Sequence, residues 1–167
     1  MDEELILFCR TEYKRLVGAL SLYCGDRFVA EELAQEAIAR VIGDWGKVRR
    51  LDAPGAWAYR VAINLANSHL RRILAERRAK QRFTARTRSV HHDPDTSTAL
   101  TVRQAVASLP RRQRAVVVLR FFADLSVREV ADLLEYPEGT VKSLTAKAVT
   151  SLRMSDLIDL RELSDAV

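Results

Sequence analysis

Glycine and proline are scarce in this chain, 6 and 4 among 167 residues. With so little punctuation, and with apolar residues recurring at 3.6 spacing nearly throughout, the chain predicts an all-α fold. Cysteine is scarcer still. Cys9 and Cys24 cannot build a framework of bridges; both fall in apolar helical patterns and read as buried free thiols of a reducing compartment. No apolar run reaches the length of a membrane span, and Met1–Asp2–Glu3–Glu4 is acidic where a signal peptide starts basic, so the expectation is a cytoplasmic protein with no membrane insertion of its own. Catalytic signatures are missing as well. There are no paired carboxylates backed by metal-ligand spacing, no phosphate-cradling glycine loop and no nucleophile with a base, which argues against an enzyme acting on nucleic acid. His91–His92 and two distant cysteines have no zinc spacing, so no metal and no cofactor is expected.

What is present is charge, unevenly spread. Apolar residues make up 48%, enough for a core, and the formal net charge is +5. Residues 1–46 carry 5 basic and 9 acidic side chains, residues 47–88 carry 12 and 2, and residues 89–167 carry 10 and 11. A net of +10 in the middle segment is costly to hold together without an anionic partner. Nucleic acid is the first candidate and an anionic membrane surface the second.

In chain order, residues 3–24 predict a first helix closed by Gly25–Asp26. Residues 28–44 predict a second, with Leu33, Ala34, Ala37, Ile38, Val41 and Ile42 on one face and Glu31, Glu32, Gln35, Glu36 and Arg40 on the other. That polar face is either solvated or a docking surface for a protein. Residues 43–56 read as a loop holding Trp45, Lys47, Arg49 and Arg50, with Asp52 as a candidate cap and Pro54 in the next first turn. Residues 53–80 predict a third helix, with a break near Ile73. Its mixture of Trp57, Tyr59, Arg60, Asn64, Asn67, Ser68, Arg71 and Arg72 suits unpaired nucleic acid, since rings stack on bases while cations hold phosphates. Core packing is the competing reading of Trp57. Residues 81–97 form a linker. Helices follow over 97–109 and 111–123. The second opens on Arg111, Arg112 and Arg114, cations that oppose the helix dipole and that a DNA phosphate would compensate. A tail, 155–167, carries a Leu157–Leu160–Leu163 stripe.

The stretch Leu125–Arg153 has the layout of a helix-turn-helix. Ser126 caps a helix running to Leu134, Pro137 stops it with Glu135–Tyr136 as the turn, and a second helix opens at Glu138–Gly139–Thr140. Val130, Leu133 and Leu134, then Val141, Leu144, Ala148 and Leu152, form the apolar stripes. Thr140, Lys142, Ser143 and Lys147 point outward. A plain helical hairpin with a basic face is the alternative.

Three runs in order, AEELAQEAIARVI at Ala30–Ile42, PGAWAYRVAINLANSHLRR at Pro54–Arg72, and Leu109–Arg153, resemble the extracytoplasmic-function (ECF) sigma factors of bacterial RNA polymerase. The resemblance implies two small helical domains, 1–80 and 98–167, joined by a basic flexible linker at 81–97. It implies that Glu31, Glu32, Leu33, Gln35 and Glu36 dock on the clamp helices of the β′ subunit. Trp45, Lys47, Arg49, Arg50, Trp57, Tyr59, Arg60, Asn64, Asn67, Arg71 and Arg72 would read and hold open the −10 element. Arg128, Thr140, Val141, Lys142, Ser143 and Lys147 would meet the −35 duplex. Core polymerase (β′ clamp helices and β flap), promoter DNA and an anti-sigma protein are the implied partners. Phosphodiester chemistry would belong to the polymerase.

The chain departs from that pattern at three positions. Glu135 stands where the family usually has Gly, Leu144 where Arg is frequent, and Ser68 where Asp is common. A non-Gly residue at φ > 0 costs on the order of 1 kcal/mol, so the turn is expected to differ or to be less firm. The competing function is a stand-alone helix-turn-helix repressor, which would bind duplex as a dimer without polymerase.

Overall fold

The computed structural model describes residues 2–81 and 97–154, with side chains in the second span from Val102 onward. Among them every regular element is helical. Helix α1 (Glu3–Cys24) starts where Asp2 accepts from the Glu4 N–H and ends at Gly25, whose φ of 75° turns its own N–H back to the Ser21 carbonyl, a conformation open to glycine at no steric cost. Asp26 then caps α2 (Arg27–Gly43) by accepting from the Val29 N–H. A short helix α3 (Trp45–Val48) occupies the predicted loop. Helix α4 (Pro54–Gln81) runs 28 residues without the break expected near Ile73. Helix α5 is Ser97–Ser108 and α6 is Arg111–Val117. The predicted α-helix over 111–123 does not continue as such: Val118–Phe122 form a π turn. Helices α7 (Val127–Leu134) and α8 (Glu138–Met154) complete the described chain. The linker and tail expectations, His91–His92 and the Leu157–Leu160–Leu163 stripe included, lie outside the described residues.

Two bundles share one core. In the first, Ala30, Ala34 and Ala37 on α2 are fully buried; small side chains there let α1 and α4 approach closely. Leu16 and Leu20 of α1 and Ala62, Ile63 and Ala66 of α4 fill the space. In the second, Ala115–Leu119 are buried consecutively, which is possible because α8 covers one side of this segment while α1 of the first bundle packs on the π turn from another. A helix buried on all sides shows no polar stripe.

The basic start of α6 binds protein. Arg114 donates to the carbonyls of Ala107 (2.6 Å), Leu109 (3.2 Å) and Tyr23 (3.1 Å). Arg111 reaches the Tyr23 hydroxyl at 3.3 Å and the Asn67 side chain. Arg112 lies 4.6 Å over the Tyr136 ring and donates to its hydroxyl. Carbonyl oxygens and rings, with partial negative charge, take the role expected of a DNA phosphate. Half-burial of Arg114 disfavours its charge and lowers its pKa, which makes those three carbonyls the compensation for desolvation.

Candidate nucleic-acid interface

Helices α7 and α8 form the expected hairpin, and its local geometry explains itself. The Ser126 hydroxyl accepts from the Glu129 N–H while the Glu129 carboxylate accepts from the Ser126 N–H, a complete capping box. These bonds, the one from Ser126 first, hold the Glu129 carboxyl below its ordinary pKa. Glu135 ends α7 at φ 57°, ψ 42°, with its N–H on the Ala131 carbonyl, so the left-handed turn is kept without glycine. Arg128, Lys142, Ser143 and Lys147 are exposed and Thr140 is half-buried. Val141 is fully buried against the core and is removed from the −35 set: a side chain that seats α8 cannot also reach a groove.

The −10 set divides. Trp45 is buried, its ring centroid 5.3 Å from that of Phe8 and its indole N–H donating to Asp2 at 3.0 Å, so it is a core residue and no stacking platform. That hydrogen bond, ahead of Arg49, lowers the Asp2 pKa. Arg49 is held by Asp2 (3.2 Å) and Glu4 (3.1 Å). Tyr59 is buried beneath α4, and burial pushes its hydroxyl pKa up; it too leaves the set. Lys47, Arg50, Arg60, Asn64, Arg71 and Arg72 are exposed, and Trp57 and Asn67 are half-buried. Asn64, Asn67, Ser68 and Arg71 share one face of α4 and line a cleft of about 460 Å³. The opposite wall is Arg111, Arg112 and Tyr136 of the second bundle. Tyr23 donates to Asn67 at 2.7 Å across its floor, and Arg60 donates to the Asp132 carbonyl of α7. The residues that sequence reasoning missed here are Tyr23 and Tyr136; Arg111 was singled out as a cation in need of a partner, but Tyr23 and Asn67 take the place of the expected phosphate.

On α2, Glu32, Gln35 and Glu36 are exposed while Glu31 and Leu33 are half-buried. Leu33 keeps part of its side chain exposed while the rest packs against the core. Arg27–Glu31 and Arg40–Glu36 pair along the helix, each at 3.0 Å. Cys9 and Cys24 are free and half-buried, and burial pushes the Cys24 thiol up to about 12. Among the described residues no helix is long and apolar enough to cross a membrane, and no cluster of His, Cys, Asp and Glu could hold a metal ion.

The amide–arginine face of α4 and, after it, the helical hairpin, carried in this order on one chain, fit a promoter-recognition protein of the sigma type. Residues 8–82 match Sigma-70 region 2 and residues 105–154 match Sigma-70 region 4. The chain is 25% identical to RNA polymerase sigma factor SigV of Bacillus subtilis (strain 168), with 90% of each chain covered. It is 34% identical to the RNA polymerase sigma-E factor of Streptomyces antibioticus, over 74% of this chain and 68% of that one. In fold it resembles the sigma factor RpoE in complex with the anti-sigma factor NepR from Bartonella quintana, with a TM-score of 0.78, 17% identity, and 95% and 99% of the two chains covered. This chain belongs to the sigma-70 family, as an ECF sigma factor that directs promoter-specific transcription initiation by RNA polymerase.

Proposed function

We propose that this sigma factor divides promoter reading between the two bundles, 1–80 acting at the −10 element and 98–167 at the −35 element, with 81–97 as their tether. The observation that carries this reading is the pair of exposed polar faces on one chain: Lys142, Ser143 and Lys147 on α8, and Arg60, Asn64 and Arg71 on α4. The α8 face suits a duplex major groove. The α4 face, with Trp57 at its start, suits unpaired bases and their phosphates, and the exposed Lys47 and Arg50 add cations to the same bundle. Glu32, Gln35 and Glu36 dock on the β′ clamp helices, and the second bundle meets the β flap. The chain performs no phosphodiester chemistry itself and acts in the cytoplasm.

An anti-sigma protein holds the chain inactive. The RpoE neighbour is a complex with such a partner, and here Arg111 and α7 already stand over Asn67 and Arg60. The bundles must therefore part before α4 meets DNA.

Run-off transcription with core polymerase on a promoter pool tests the proposal. Selective transcripts that depend on this chain are expected, and alignment of the selected promoters returns the −10 and −35 sequences together. Protection of a palindromic duplex by the chain alone, with no polymerase-dependent transcript, would favour the stand-alone repressor.

A further inference from the structure

The cleft between the bundles gathers positive charge that nothing in it balances. Arg71 of α4 stands on one wall and Arg111 and Arg112 of α6 on the other, around a volume of about 460 Å³. Among the described residues no carboxylate lines this cleft, and none of the three arginines is ion-paired. Arg27, Arg40 and Arg49, by contrast, each hold a carboxylate at 3.0–3.2 Å. Cations gathered in a concave site repel one another and focus the potential that attracts an anion.

The bonds these arginines make within the protein leave donors unspent. Arg111 donates through Nε to the Tyr23 hydroxyl at 3.3 Å and through Nη2 to Asn67. Arg112 donates through Nε to the Tyr136 hydroxyl at 3.1 Å, and Arg71 through Nη2 to Ser68 at 3.1 Å. Among the described residues, Nη1 of all three meets no acceptor, and neither does Nη2 of Arg112. A guanidinium fork offers paired N–H groups to two oxygens of one phosphate. The rest of the lining is neutral. The Asn64 and Asn67 amides can meet the edge of a heterocycle, and Leu134 and Ala115 supply an apolar patch.

We propose that this cleft binds a nucleoside diphosphate, its phosphates among Arg71, Arg111 and Arg112 and its base against the amides and the Leu134–Ala115 patch. Three cations exceed what a single phosphate of charge about −2 neutralises, which favours two linked phosphates. The volume lies in the range of about 300–1,000 Å³ that takes one small molecule. Each bundle supplies part of the site, so the ligand binds the closed arrangement and shifts the population toward it. Bound there, it engages Asn64, Asn67 and Arg71 and acts as a brake on α4. The site itself does not depend on the −10 reading of α4; only the brake does.

Isothermal titration of the full chain with ADP, GDP, CDP, UDP and sodium pyrophosphate tests the proposal. At least one nucleotide is expected to bind at one site per chain, more tightly than pyrophosphate, and to raise Tm. Arg71→Ala and Arg112→Ala are each expected to weaken that binding about tenfold, and Arg112→Lys to lose less than Arg112→Ala. Arg71 is exposed on α4, so its variant carries the test if loss of the Arg112–Tyr136 contact unfolds the hairpin. Arg10→Ala removes an exposed cation of α1 outside the cleft and is expected to bind as wild type. No binding by any probe overturns the proposal, and so does an equal loss in Arg10→Ala, which would mean attraction by net charge alone. Pyrophosphate binding as tightly as every nucleotide overturns the nucleoside assignment. A short single-stranded DNA that needs both Arg71 and Arg112 and that no nucleotide displaces would return the cleft to the DNA interface and overturn the proposal as well. None of these readouts uses polymerase, so their outcome is separate from that of run-off transcription.

Discussion

Glu135 is one of two described non-glycine residues, with Asp124 at φ 54°, that hold a left-handed backbone. It holds φ 57° at the end of α7, where the family pattern has glycine. The strain at such a position is of order 1 kcal/mol, partly offset by glycine's larger unfolded-state entropy. Glu135→Gly is expected to stabilise the chain by up to about 1 kcal/mol in urea unfolding, with the hairpin otherwise unchanged. The two tryptophans separate at the same scale. Trp45 is core, so Trp45→Ala should cost about 3–5 kcal/mol. Trp57 is half-buried at the start of the α4 face. Trp57→Ala should cost less stability and impair promoter opening, read by permanganate reactivity of the −10 region, more than it impairs closed-complex retention. Equal losses in both assays would assign Trp57 to packing. Nothing in the local sequence separated the two rings. Each sits in a pattern with an apolar side, and only the Asp2 and Phe8 contacts, more than 30 residues away in the chain, remove Trp45 from solvent.

At the scale of the element, α7 depends on its capping box and α8 on its exposed cations. Ser126→Ala should destabilise by about 1 kcal/mol. The partner of Ser126 makes part of that contribution depend on pH. The folded pKa of Glu129 is depressed, so its contribution is complete above the unfolded carboxylate pKa and is lost as pH falls through the folded value. Wild type and Glu129→Ala should therefore differ in stability at neutral pH and converge in acid, as denaturant titrations across that range would record. On α8, Lys142→Ala should lower the slope of log K against log salt by about one unit for −35 duplex binding; an unchanged slope would remove Lys142 from the phosphate contacts. Helix limits and the Ser126 cap of the hairpin were legible because caps, proline stops and 3.6 spacing are local. The π turn at Val118–Phe122 was not legible. Val116–Leu119 are four consecutive apolar residues, and such a run has no phase from which to read a change of pitch.

For the whole molecule, the arrangement described is closed. Arg111 makes three hydrogen bonds to Tyr23 and Asn67 across the bundles, and α1 packs on the π turn. Arg111→Ala should raise the radius of gyration in small-angle scattering. It should also raise the affinity of α4 for single-stranded −10 DNA, since Asn67 loses its intramolecular partner. No change in either quantity would mean that apolar packing alone closes the molecule. The three arginines at the start of α6 looked like phosphate ligands in the sequence. Their position against the dipole was legible, but the identity of their partner was not. Tyr23 and Asn67 lie 88 and 44 residues away from Arg111, and local spacing carries no information on which distant carbonyl meets a cation.

The sequence by itself determined an all-helical chain, the hairpin with its Ser126 cap, the acidic face of α2, and a basic middle segment that calls for an anion. Each follows from periodicity, capping chemistry or charge within a few residues. Only the tertiary structure decided that Trp45, Tyr59 and Val141 are core, that Arg111, Arg112 and Arg114 serve the protein, and that Phe28 and Ile42 stay in solvent. The physical reason is the same in each case. A helical pattern says which residues share a face, while burial and partnership depend on which other helix covers that face.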